Sequence, residues 1–324
     1  MDYARFRSER EALLARGPAL RLDCMNPARA LERWRPSEPA DDVAAASVEE
    51  LLLAWNAATG IGLSREQARL ERGVRALLEE LLPVLAADAA EVWLPEDVYP
   101  VYWNMPRGTA AACAFRTLPA PDWSFLARTH SAATLLLPAP LAPLGRWLTP
   151  REVELLHDWL AGSSRRRLVL DAAYCYDFGA FARKLAPLLA APGVVWIASL
   201  RKPWLCADTL GIARVPRELA HPHAALGDRM RARAVTLLRT ARDLPLRQAR
   251  AFEAEWQRLA PAIRAADPAW QPPESGYFGV VRADFRELFE RHGLLCVPAS
   301  VFGSSRPDLS VVSCLFALGA PPSP

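Results

Sequence analysis

The sequence predicts an α/β protein: a large domain built on a three-layer, mainly parallel sheet, followed by a smaller α+β C-terminal domain. Three observations predict it. The first is a set of short apolar runs, EVWL (91–94), ATLLL (133–137), RLVL (167–170) and VVWIA (194–198), each of strand length and bounded by Pro, Gly or charge. The second is the pair of helical patterns between them, TPREVELLHDWLA (149–161) and FGAFARKLAPLLA (178–190). Strands that alternate with helices build a parallel sheet covered on both faces. The third is length: 324 residues exceed what one small domain needs and suit a large domain with a subsidiary one.

The elements follow in order. Residues 1–45 are polar, Arg-rich and punctuated by Pro18, Pro27, Pro36 and Pro39, which reads as an arm with one or two short helices. The large domain is expected over 46–225. It begins with a helix at 47–57 (SVEELLLAWNA) and a turn at Thr59–Gly62. Ser64 with Gln67 three residues on has the form of a capping box, so a helix is expected through ARLERGVRALLEELLPVLA, broken near Gly73. The strand and helix alternation then runs to about 200. After 225 it stops, and a small α+β domain is expected over 226–324. Its parts are a long helical stretch (226–265), the strand YFGVV, a helix in DFRELFERHG, the strand LLCVP and a final strand SVVSCLFAL.

Composition excludes several classes. The apolar fraction is 52% and the charged fraction 23%, so the chain is not disordered. A net charge of +3 with no basic cluster longer than Arg165–Arg167 argues against a nucleic-acid partner. No apolar run is long enough to span a membrane, and the charged start MDYARFRSER is unlike a secretory signal, so a cytoplasmic protein is expected. Six cysteines without a C-x-x-C pair read as reduced thiols. His221-Pro222-His223 lacks a third ligand at suitable spacing and reads as a surface loop. Cys175 has no His partner nearby and reads as a small buried residue.

Chemistry concentrates where ligands of such sheets sit, beyond the C-terminal ends of the strands. RLVLDAAY places Asp171 at one strand end with Tyr174 three residues on; VVWIASLRKPW places Ser199 and Lys202 after the next. A carboxylate there can keep a pyridine nitrogen protonated, and an amine there can form a Schiff base with an aldehyde. Lys184 and Lys202 are the only lysines among 39 basic residues. Arginine never loses its proton, whereas lysine can act as a free amine, so a lysine kept at a strand end in an arginine-rich chain stands out.

These residues carry a resemblance. LPEDVYPVY resembles a strand followed by P-x-Y-P-x-Y; LLLPAPLAPLGRWLTPREVELL resembles N-P-N-N-P-T-G-x-x-L and a helix; LVLDAAYCYDF resembles D-E-A-Y-x-x-F; SLRKPWLCADTLGIARV resembles S-x-S-K with a downstream G-x-R-x-G; CVPASVFG resembles P-G-x-x-F-G. Together, over about 65–215 with an echo at 272–318, they resemble the fold-type I pyridoxal-phosphate-dependent aminotransferases of class I/II, of the histidinol-phosphate aminotransferase kind. The resemblance implies pyridoxal 5'-phosphate as cofactor and an amine or amino acid as substrate. It implies that Lys202 forms the Schiff base, Asp171 pairs with the pyridinium nitrogen, Tyr174 bonds the phenolic oxygen, Tyr99 stacks on the ring and Ser199 touches the phosphate beside the helix start at Gly73. It also implies a homodimer with its sites at the subunit boundary.

The chain departs from that pattern at four positions. Ala142 stands where the family has the Asn that contacts the phenolic oxygen, Leu210 at the phosphate-binding Arg, Val74 at the Ser/Thr of the glycine turn, and Val311 at the Arg that grips a substrate carboxylate. Arg72, Arg75 and Arg201 are the candidates to replace the lost phosphate contacts, against the reading of each as a surface charge, and Arg306 is read either as the replacement carboxylate clamp or as a solvated loop arginine. Two readings follow: an aminotransferase with a remodelled substrate pocket, or a non-catalytic homologue that serves as a binding or partner subunit. Decarboxylation and elimination use the same cofactor chemistry, and no motif selects among the reactions.

Overall fold

The computed structural model describes residues 2–37, 45–98, 100–206, 210–220 and 226–319. Helix α1 (Tyr3–Arg16), strand β1 (Leu20–Arg21) and α2 (Pro27–Ala30) form the N-terminal arm. Helix α3 (Val48–Thr59) follows, opened by a true capping box between Ser47 and Glu50. Next come β2 (Ala68–Glu71), α4 (Val74–Leu85), β3 (Glu91–Pro95), β4 (Ala111–Phe115), β5 (Ala133–Pro138), α5 (Pro150–Ala161), β6 (Arg167–Asp171), α6 (Phe178–Lys184), α7 (Ala186–Ala190), β7 (Val194–Ser199) and β8 (Gly211–Arg214). The C-terminal part holds α8 (Asp228–Thr240), α9 (Leu244–Ala266), β9 (Phe278–Val281), α10 (Phe285–His292), β10 (Leu294–Leu295), β11 (Val297–Pro298), β12 (Ser310–Ser313) and α11 (Leu315–Gly319).

Seven strands form the central sheet in the order β2-β8-β7-β6-β5-β3-β4. The five from β7 to β4 run parallel; at one edge β8 pairs antiparallel to β7, and β2 antiparallel to β8, which returns it to the direction of the five. The three-layer α/β architecture expected from the sequence is the one the chain forms. Period-two alternation sorts the strand side chains: Leu135, Leu168, Leu170 and Trp196 join the core under α3, α5, α6 and α8, whereas Leu136, Val169, Val195 and Ile197 join the core under α4. A second core gathers the arm, the later turns of α9, α10 and the three-stranded sheet β11-β12-β9. The chain passes between these cores along α9, with Leu244 in the first and Phe252 and Trp256 in the second. Helix α8, read from sequence with the C-terminal part, packs on α3. The arm packs on the second core: Phe6 meets Phe285 edge-on, Glu9 pairs with Arg286, and β1 pairs in parallel with β10.

Four local expectations are corrected. Ser64 caps nothing with its side chain and opens only a short 3-10 turn (Arg65–Gln67), because the residues that follow alternate as β2 and bond to β8. The helix starts instead after Gly73, whose φ of +92° only glycine adopts freely. The long helix at 226–265 is two helices, broken at Ala241–Asp243 ahead of Pro245. The last strand ends at Ser313 and turns into α11. Strands β4 and β8 were not read from the sequence. Among the described residues no helix is long and apolar enough to cross a membrane, and no group of three or more His, Cys, Asp or Glu is placed to hold a metal ion.

Candidate functional site

The strand alternation aims the site. Val169 and Ile197 face the α4 layer, so Asp171 and Ser199, two residues further on, face the same side at the ends of β6 and β7. There the first turn of α4 meets them across a cavity of about 140 Å³, which also takes in Tyr102, Tyr174, Arg201 and Lys202. Gly211 makes the approach possible: a Cβ on this residue of β8 would lie 2.5 Å from the Gly73 carbonyl carbon, so two backbones touch where the helix begins.

Asp171 is buried, with 5% exposure. Tyr102 donates its hydroxyl to Oδ2 at 2.7 Å and the Ala173 amide donates to Oδ1 at 2.9 Å. Burial pushes the carboxyl above its usual range, while the Tyr102 hydroxyl, the Ala173 amide and the charge of Lys202 all favour the ionised form. Lys202 rides on a turn directly after β7, and its Nζ lies 3.5 Å from the centroid of the Tyr174 ring, within cation–π range. The turn is held from below: Trp204 is fully buried against Phe178 and Trp55 and donates its indole N–H to the Ala241 carbonyl. Buried Gln248 donates to the Pro203 carbonyl. Leu205 closes the turn at φ +52°, a conformation that costs a non-glycine residue energy and persists only where its surroundings impose it.

Ser199 accepts the Arg201 amide at 3.0 Å, which leaves its own O–H free to donate. Helix α4 has no side-chain cap, so the amides of its first turn open into the cavity mouth, where an anion is favoured. Arg72, Arg75 and Arg201 stand around that mouth. Arg75 also pairs with Glu79, while Arg72 and Arg201 make no ion pair with another described residue.

Of the residues expected from sequence, Asp171, Tyr174, Lys202, Ser199, Gly73, Arg75 and Arg201 thus line one cavity. Tyr99 lies outside the described residues, as do His221 and His223. Arg306 is not part of this lining; its guanidinium binds Asp308 at the surface. The residues at the remaining departures are structural: Ala142, Leu210 and Val311 are all buried, with Val311 paired to Val280 and Val297 inside the small sheet. Sequence reasoning missed Tyr102. It sits in a short 3-10 segment (Pro100–Asn104) tied down by Arg107, which donates to the Trp103 and Met105 carbonyls. It is the last tyrosine of the quoted LPEDVYPVY segment, to which no role was given, and its partner is 69 residues away.

No protein-family model matches the chain, and no curated protein does. Solved structures match over nearly its whole length. The aspartate aminotransferase from Rhizobium meliloti superposes with a TM-score of 0.70 at 15% identity, covering 98% of this chain and 93% of that one. An aminotransferase from Staphylococcus aureus gives 0.69 at 16% identity, covering 92% and 90%. The Escherichia coli protein whose structure and reactivity identify a methionine aminotransferase function gives 0.68 at 17%, covering 97% and 96%. The fold is that of the fold-type I aminotransferases.

Proposed function

We propose that this chain is a pyridoxal-phosphate-dependent enzyme of that fold which acts on an amine or amino acid, with amino-group transfer as its reaction and Lys202 as its catalytic residue. One observation carries the reading: a buried carboxylate, an aromatic ring and an amine from two adjacent strand ends converge on one cavity whose other end offers anion donors. The residues fit the group chemically. Asp171 is a buried carboxylate with bonds that favour its charged form, suited to a protonated ring nitrogen. The Ser199 hydroxyl, the first-turn amides of α4 and the guanidinium groups of Arg201, Arg75 and Arg72 suit a phosphate.

When bound, pyridoxal phosphate supplies an aldehyde that captures an amine covalently and a ring that withdraws electrons from it. The chain's own residues do the rest. Lys202 would hold the cofactor through its aldehyde and would take up and return a proton at the substrate carbon. Tyr174 holds the lysine head by its ring face. Asp171 would keep the ring nitrogen charged. A homodimer belongs to the same proposal.

A second reading has its own support. The buried apolar Leu210 and Val311 occupy positions where the resemblance implies anchoring arginines, which favours a non-catalytic homologue serving as a partner subunit. One experiment separates the two. Incubated with pyridoxal phosphate, the enzyme gains a visible absorbance that borohydride fixes onto the chain; Lys202→Ala abolishes it. Lys184→Ala does not, because that lysine pairs with Glu274 at the surface. Wild-type protein that takes up no cofactor leaves the partner-subunit reading in its place.

A further inference from the structure

The hydrogen bond from Tyr102 to Asp171 has a chemical consequence that rests on the reading of the site just given. We propose that Tyr102 is a positioning residue: through its hydroxyl it holds Asp171 ionised and aimed at the ring nitrogen of the cofactor, and so makes the site selective for a protonated heterocycle. Tyr102 is itself buried at 3% exposure and lines the same cavity. Asp171 has two carboxylate oxygens, and the structure assigns each a donor, Tyr102 to Oδ2 and the Ala173 amide to Oδ1. The amide cannot be lost without breaking the chain, so the hydroxyl is the adjustable half of the arrangement. A buried carboxylate stripped of one donor drifts towards the neutral acid, which pairs with a pyridinium far more weakly than a carboxylate does.

The support beneath Tyr102 argues for orientation and not for bulk packing alone. Asp97, buried at 1% exposure, accepts from the Thr117 amide and hydroxyl and from the Leu118 amide, which fixes the start of the loop that leads to Tyr102. Beyond it, Trp103 donates to the Pro95 carbonyl and Arg107 braces the far side. The phenol is therefore delivered to Asp171 by a stretch clamped at both ends.

The test compares two ligands on whole protein: pyridoxal phosphate and its carbocyclic analogue, in which the ring nitrogen is replaced by C–H. Both keep the aldehyde and the phosphate; only the first offers a nitrogen to Asp171. Equilibrium binding is the readout, independent of turnover. Wild type prefers pyridoxal phosphate, and Tyr102→Phe, which keeps the ring and removes the hydroxyl, lowers that preference about tenfold while affinity for the analogue holds. Tyr102→His, which returns an N–H donor, restores part of the preference and gives a second variant should the Phe protein not fold. If Tyr102→Phe weakens both ligands equally, or neither, the residue only packs and the proposal falls. If wild type binds neither ligand, the cofactor reading itself fails and takes this assignment with it.

Discussion

Two charged clusters stand at strand ends of the same sheet and are built on opposite principles. In the segment that leads from β5 into α5, Arg146 makes two bonds to Glu152, at 2.7 and 2.8 Å; Glu152 also accepts from Thr149 and from the Trp123 indole. Nothing in that cluster is left to offer a ligand. At the ends of β6 and β7, Asp171, Lys202 and Arg201 line an open cavity, and the closest partner of the lysine is the face of a ring. The first arrangement stabilises the fold; the second satisfies its carboxylate but leaves its two cations facing the cavity. Saturation, more than the number of charges, separates a structural cluster from a site.

The contrast can be broken by mutation. Arg146→Met leaves a half-buried carboxylate without its charge-assisted pair and is expected to destabilise the protein by about 2 kcal/mol in denaturant unfolding. The Lys202→Ala variant, on the same assay, should change stability by less than about 1 kcal/mol, because a cation–π contact and an attraction to Asp171 are lost but no ion pair at hydrogen-bond distance. A reversed order would mean that the crevice, too, is part of the scaffold.

Acid sharpens it next. Burial works to raise the Glu152 pKa, but the bonds from Arg146, Thr149 and Trp123 outweigh it and hold the carboxyl at about 2, against an ordinary value of 4.5. Because folding favours the ionised form, that stabilisation is complete above about pH 4.5 and fades as pH falls towards 2. Unfolding midpoints measured across this range should drop for wild type and fall less steeply for Glu152→Gln. The smallest effect is expected at Arg306. Its pair with Asp308 is exposed to solvent, so Arg306→Ala should leave both the unfolding midpoint and cofactor binding unchanged. A fall in substrate affinity in that variant would return Arg306 to the site as the carboxylate clamp.

Much of the sheet was legible because its strands are buried on both faces and so read as continuous apolar runs; β5 is buried at every position. Strand β4 was not, because only its last residue is buried and AACAF carries no apolar signal. The capping-box pattern misled at Ser64, while true boxes form at Ser47 and Thr149, which the sequence reading did not single out; the motif stabilises a helix start only where an amphipathic face follows to be packed. The lysine, the aspartate and the nearer tyrosine could be placed by counting from strand ends. Tyr102 could not, because its position depends on a loop anchored by Asp97 and not on any period in the sequence.

The parallel pairing of β1 with β10, reinforced by the Ser313 amide bonding to the Leu22 carbonyl, has a consequence for biosynthesis. Strand β1 thus belongs to a core whose other strands are made only after the large sheet has been translated. Until α9, α10 and the small sheet have been made, Phe6 and Leu13 of α1 lack the residues they are buried against, and the large sheet is translated between the two halves of that contact.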